Sequence, residues 1–164
     1  MKRIWATWRM KYILGEKSEN CVFCEALQSK DDAAHYVVHR GVKCAIMLNL
    51  YPYTNGHMMV IPYVHTGDLV ALDRETLADM MKLTQLGVQL LRGAMAPHGF
   101  NVGLNLGQAA GAGIQDHLHI HVVPRWENDT NFMPVLGDVR VIPESLDVTY
   151  GKLLAELRKT RPGT

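Results

Sequence analysis

Three histidines alternate with apolar residues in His117-Leu118-His119-Ile120-His121-Val122-Val123-Pro124, directly after a glycine-rich stretch. Side chains along a strand point to opposite faces with period two. An extended chain here lines one face with three imidazoles and packs Leu118, Ile120 and Val122 on the other. The fold must bury one side of this strand and leave chemistry on its opposite side. Imidazole is a nucleophile, a general acid or base, a metal ligand and a donor to phosphate oxygens. Three alternate positions span about 13 Å of strand, too far for one ion to be held by all of them.

The rest of the chain supplies partners for that strand. At 164 residues, one domain is expected over 21–164, preceded by an arm at 1–20 that carries Trp5 and Trp8 and ends in a polar linker. Residues 36–39 and 43–48 read as strands joined at Arg40-Gly41. Asn55-Gly56 marks a turn before a third strand at 57–62. Asp73 caps a long helix, with Glu75 in its first turn. Leu77, Met80, Met81, Thr84, Val88, Leu91 and Met95 recur at three- and four-residue steps on its expected buried face. Pro97 and Gly99 end it, 100–106 reads as a fourth strand, the histidine run as a fifth, and 153–157 as a C-terminal helix. This pattern predicts an α+β fold: a five-stranded, mostly antiparallel sheet with one long helix and a C-terminal helix.

Composition excludes several classes. A net charge of +1 provides no basic stripe for nucleic acid. No apolar run reaches membrane-spanning length, and the N-terminus lacks the apolar core of a signal peptide. Three cysteines suit a reducing cytoplasm better than a secreted disulfide framework.

Residue chemistry leaves the candidate sites open between readings. The histidine row suits metal ligation, since His-x-His can present two imidazoles to one ion, or nucleophilic attack with neighbours stabilising the developing charge. The segment 105–113 is glycine-rich enough to turn several N–H groups towards phosphate oxygens. It precedes a strand and lacks Gly-Lys-Ser/Thr, so it is neither a dinucleotide fingerprint nor a P-loop. Cys21-x-x-Cys24 reads as a redox pair, although no βαβ pattern follows, as half of a structural zinc site, or as two reduced cysteines packed without metal. Cys44 reads as a buried small hydrophobe. His35, His39 and His98 read as surface residues.

Several separated motifs resemble one family. His117-x-His119-x-His121-Val122-Val123, Asn49 with Gly56-His57 and Val60-Ile61-Pro62, and Cys21-x-x-Cys24 resemble the histidine triad (HIT) superfamily of nucleotide hydrolases and transferases. The opening Ile4-Trp5-Ala6-Thr7-Trp8-Arg9-Met10-Lys11-Tyr12-Ile13, with Pro124-Arg125-Trp126 and the residues to Met133, resembles the bacterial diadenosine tetraphosphate phosphorylase branch. The resemblance implies a HIT-like fold and a nucleotidyl transferase or hydrolase that cleaves dinucleoside polyphosphates through a nucleotidyl-histidine. His119 would be the nucleophile, with His121 and His57 as catalytic partners. Asn49 would hold the ribose; Asn105, Gly111, Ala112 and Gly113 would line the phosphate. It also implies a structural zinc on Cys21, Cys24, His65 and His117, no organic cofactor, and a homodimer or higher assembly. The loop departs from many relatives by lacking a Gly-Gln-Ser/Thr hydroxyl before the triad. Two alternatives stand beside this reading: an adenosine 5′-phosphoramidate hydrolase, and a nucleotide-binding protein with little catalysis.

Overall fold

Apolar stretches at 44–48, 58–62 and 120–125 form the three inner strands of a five-stranded antiparallel sheet. The computed structural model describes residues 21–129 and 142–160. The Trp5 and Trp8 arm, and the boundary expected at residue 20, lie outside them. The strands are β1 (Val37–Arg40), β2 (Cys44–Leu48), β3 (Met58–Pro62), β4 (Gly99–Leu104) and β5 (Ile120–Arg125). Their order in the sheet is β1-β2-β3-β5-β4, with every neighbouring pair antiparallel. Among the described residues, three α-helices accompany them: α1 (Val22–Gln28), α2 (Arg74–Met95) and α3 (Leu146–Thr160).

Cross-strand register divides the sheet into two faces. Val37, Met47, Met59, His121 and Gly103 are successive partners across it and share one face. Phe23 and Ala26 of α1 pack there against Met47, Met59 and Ile61. The opposite face carries Ile46, Leu48, Met58, Val60, Ile120 and Val122 against Met80, Leu83, Leu90 and Leu91 of α2 and Leu153 of α3. Each fully buried aliphatic side chain contributes about 1.5–3 kcal/mol, so this second face holds most of the core. The sheet is a partition, with the main core behind it and the imidazoles in front.

Local signals explain the long helix. Asp73 accepts from the Thr76 N–H at 2.6 Å, the expected N-cap. The helix closes at Ala96, which takes a left-handed conformation before Pro97. Asp79 turns outward from α2 and accepts from the N–H groups of Lys43 (2.7 Å) and Cys44 (3.1 Å), joining the helix to the β1–β2 turn.

Four expectations need correction. The buried side of α2 runs through Thr76, Met80, Leu83, Thr84, Gly87, Leu90 and Leu91. Met81 is 57% exposed and Leu77 is 37% exposed, because both flank that stripe instead of lying on it. The fifth strand starts at Ile120, not at His117: the Leu118 N–H donates to Thr66 O at 2.7 Å, drawing residues 117–119 towards the loop after β3. The C-terminal helix starts at Leu146 rather than 153, and α1, which begins inside the cysteine motif and runs on to Gln28, was not expected. The apolar alternation of the histidine row nevertheless survives, since Leu118, Ile120 and Val122 all enter the main core. No helix among the described residues is long and apolar enough to cross a membrane.

Candidate functional site

Four imidazoles gather on the front face, and their hydrogen bonds determine where each proton sits. His57 lies just before β3 and is fully buried. Its Nδ1 receives the Tyr53 N–H (3.1 Å) and the Asn49 amide Nδ2–H (3.3 Å). The Asn49 amide is oriented by its Oδ1, which accepts from the Tyr51 N–H at 2.9 Å. Both groups facing Nδ1 are donors, so the neutral ring carries its proton on Nε2. That Nε2–H donates to His121 Nδ1 at 3.0 Å, leaving His121 with its own proton on Nε2. His119 donates Nδ1–H to the carbonyl of His117 at 2.9 Å, leaving its Nε2 as a lone pair. Two neighbouring rings, 4.7 Å apart between centroids, thus offer one nucleophilic nitrogen and one N–H donor.

Burial keeps this set uncharged. Desolvation, and then the neighbouring imidazoles, pushes His57 down to about 3 and His121 down to about 4. Desolvation also lowers His119, against the opposing hydrogen bond to His117. Because these bases have depressed values when folded, the unfolded chain binds more protons below the ordinary value near 6.5. Stability is therefore intact above pH 6.5 and lost as pH falls towards 4 and 3. Ring NMR signals of His57 and His121 are expected to stay those of neutral imidazoles down to about pH 5. A midpoint near 6.5 for either ring contradicts this assignment.

Two aromatic residues escaped the sequence reading. Tyr53 sets the His57 tautomer through its backbone, and its ring lies 4.5 Å from His57 and 5.8 Å from His121. Phe23, between the two cysteines, packs edge-on against His117 (5.5 Å) and His119 (5.0 Å). The Tyr-Pro-Tyr run before the Asn-Gly turn and the aromatic inside Cys-x-x-Cys were the available signals.

The space beside the triad is open. Gly103 is the cross-strand partner of His121, and a Cβ there would meet nothing within 4 Å. That pairing ends at Leu104 opposite Ile120, one residue short of Asn105 on one strand and of His119 on the other. The loop 107–113 leads into the row, but its N–H groups are not all available. Gly111 N–H donates to Gln108 O (2.9 Å) and Ala112 N–H to Gly107 O (3.3 Å), so the Ala112 N–H turns into the loop, contrary to the expected phosphate cradle. Gly113 retains open space. His98 is exposed, as expected, with Nδ1 accepting the Glu127 N–H at 3.0 Å.

A second cluster adjoins the first. Ligand atoms of Cys21, Cys24, His65 and His117 lie within 4.8 Å of one another. His117 donates Nε2–H to Pro62 O (2.8 Å), which leaves its Nδ1 lone pair facing Cys21 Sγ at 3.3 Å and Cys24 Sγ at 3.6 Å. His65 Nδ1 stands 3.3 Å from Cys24 Sγ. Zinc bonds of about 2.3 Å to sulfur and 2.0–2.1 Å to nitrogen put tetrahedral S and N ligands roughly 3.6 Å apart, which these spacings match. The Cys24 thiol is raised by burial and then by Cys21, the cost a cation would offset. Gly67 permits the assembly: a Cβ there would lie 2.1 Å from Gln115 O, in the segment that leads to His117. Cys44 stays apart, buried and pushed up to about 12 by desolvation.

Known proteins are similar to this chain in sequence and fold. The HIT domain family model matches residues 30–128. The Mycobacterium tuberculosis protein named AP-4-A phosphorylase is 39% identical, over 95% of this chain and 84% of its own length. A zinc-bound histidine triad family protein from Mycobacterium smegmatis superimposes with a TM-score of 0.70 at 31% identity, covering 86% of this chain and 95% of that one. A uridylyltransferase at 15% identity and TM-score 0.69, covering 96% of this chain and 51% of that one, shares the fold alone.

Proposed function

Because the chain belongs to the HIT domain family, we propose that it cleaves dinucleoside polyphosphates, diadenosine tetraphosphate first among them, by nucleotidyl transfer through His119. The observation that carries this reading is the pairing of a bare His119 Nε2 with a His121 Nε2–H. His119 Nε2 attacks the α-phosphorus, a P–N bond forms, and the bond to the bridging oxygen breaks. ATP departs. His121 donates to a phosphate oxygen while charge moves onto the leaving group, and His57 holds His121 in the donating tautomer. Asn49, whose amide meets His57, would hold the ribose, and Asn105, just past the last β4–β5 pair, would contact the α-phosphate. Neutral imidazoles suit both steps near pH 7, since a protonated His119 has no lone pair.

The acceptor then attacks the same phosphorus and releases His119. With inorganic phosphate the product is ADP; with water it is AMP. The relative named as a phosphorylase supports phosphate. Diadenosine tetraphosphate is expected to yield ADP and ATP only when phosphate is added. AMP and ATP in both conditions would identify a hydrolase, and rapid turnover of an adenosine phosphoramidate with none of the tetraphosphate would favour the alternative enzyme.

Cys21, Cys24, His65 and His117 would hold a zinc ion, which supplies positive charge to two thiolates and closes a four-ligand shell with no position for substrate. The metal is thus structural in this reading. A homodimer is supported by the edge strand β4, where Val102 is exposed. A separate groove of about 310 Å³ runs along α2, lined by Thr84, Gln85, Val88, Gln89 and Arg92. That groove contains none of the histidines.

A further inference from the structure

The turn before His57 is held by residues far along the chain. Asn55 Nδ2 donates to Glu144 Oε2 at 3.3 Å, across 89 positions. Thr149, 1% exposed, donates its hydroxyl to the same Oε2 at 2.8 Å and lies 3.2 Å from Asn55 Oδ1. Lys152 pairs with the other oxygen of Glu144. Lys152, Thr149 and Asn55 together hold the Glu144 carboxyl below its ordinary range.

The neighbouring positions are fixed as well. Thr54 Oγ1 donates to Pro124 O at the far end of β5, 2.9 Å away. Gly56 has φ of 77°, and a Cβ there would come within 2.7 Å of Met95 Sδ and 2.9 Å of Leu91 Cδ2. So β5 grips residue 54, the segment entering α3 grips 55, and α2 bears on 56. Immediately after them comes His57, whose N–H donates to Thr54 O at 3.2 Å. Glu144 and Thr149 both lie beyond residues 30–128, the span that the HIT domain model matches.

We infer that Glu144 and Thr149 are positioning residues that hold Asn55, and through the Thr54–Gly56 turn keep His57 aligned on His121. This rests on the reading of His57 and His121 given under Proposed function. The mechanism is geometric. His57 needs Nδ1 against the Tyr53 N–H and Nε2 against His121 at once, and both contacts come from groups on opposite sides of its ring. A turn free to shift by about 1 Å loses one of them, and misplacement on that scale costs up to about 10²-fold in rate. The clamp acts nearer to His57 than to Asn49, so kcat is affected more than KM.

The experiment uses the full chain, supplemented with zinc, and the variants Asn55→Ala, Glu144→Ala, Glu144→Gln and Thr149→Val. Nitrogen NMR of the ligand-free protein reads the His57 tautomer, and steady-state kinetics on diadenosine tetraphosphate read kcat and KM. The expected result is a single Nε2–H tautomer for His57 in the unaltered chain and a tautomer mixture in Asn55→Ala and Glu144→Ala. Their kcat falls roughly tenfold to a hundredfold with a smaller change in KM, and Glu144→Gln recovers part of the loss. Tyr36→Phe removes a separate tie to α3, the Tyr36 hydroxyl to Asp147 Oδ1 at 2.8 Å. It is expected to lower the melting temperature without altering the ring or kcat. Should Glu144→Ala fail to fold, Asn55→Ala and Thr149→Val decide the matter alone. Variants that melt earlier yet keep the His57 tautomer and kcat overturn the inference. If the unaltered chain turns over no dinucleoside polyphosphate, the substrate reading fails, while the ring signals still decide the clamp.

Discussion

His119→Ala is expected to lower turnover of diadenosine tetraphosphate by about four orders of magnitude or more, as loss of a covalent nucleophile does. That is about 5 kcal/mol of lost transition-state stabilisation at 1.36 kcal/mol per decade. The reason lies in the proton positions. His119 Nδ1–H is committed to the His117 carbonyl at 2.9 Å, so its Nε2 lone pair is the free nucleophilic nitrogen beside His121. His121 cannot substitute, because its Nδ1 is occupied by His57 and its Nε2 bears a proton. Brief reaction with substrate labelled on the α-phosphate should also leave label on the unaltered protein through an acid-labile P–N bond. The variant should remain unlabelled with its melting temperature within a few degrees of the parent. Turnover by His119→Ala at the parental rate would remove this residue from the mechanism.

Stripping metal is the second large effect. A site held at a thousandfold excess of free zinc over its dissociation constant stabilises the fold by about 4 kcal/mol. In a domain of this size that corresponds to roughly 8–16 °C of melting temperature. Chelation, or Cys24→Ser, is expected to cost that much and to remove activity with it, because one residue serves both clusters. His117 presents Nδ1 towards the cysteines, Nε2–H to Pro62 and its carbonyl to His119. Phe23 adds a packing link, lying between the cysteines in sequence and against both histidines in space. Zinc analysis should find about one ion per chain, as a single four-ligand site requires. If activity vanishes on chelation while the melting temperature holds, the ion is catalytic. If no metal is found and chelation changes nothing, the cysteines are a reduced pair packed without an ion.

Legibility in the sequence followed the range of the interactions involved. The strands expected at 43–48 and 57–62 and the Asp73 cap rest on local periodicity and a three-residue hydrogen bond; the cap stands where expected, and each strand starts one residue later, at Cys44 and Met58. Helix α1 escaped because seven residues, one of them Cys24, carry too short a period to read. Gly151 and Thr149 interrupt the apolar pattern of α3, so only its last half was legible. Met81 was assigned inside by spacing, yet the choice of stripe on α2 depends on where the sheet lies. The grouping of Cys21, Cys24, His65 and His117 was implied by family resemblance, and the folded chain brings those four together. Tyr53 was passed over because its contribution to His57 is a backbone N–H, which residue identity does not report.

What the sequence determined by itself is the chemistry on offer: imidazoles on one side of an extended segment, apolar residues on the other, and a cysteine pair near the start. Alternation suffices for that, because strand geometry imposes it on any chain. What only the tertiary structure decided is how the imidazoles differ from one another. A histidine's role depends on which ring nitrogen holds the proton, and that depends on partners such as Pro62 O, the Tyr53 N–H and the His117 carbonyl. All three are backbone groups brought to the ring by packing of the sheet and its loops, so three identical residues became one bare lone pair, one N–H donor and one ligand turned towards two thiols.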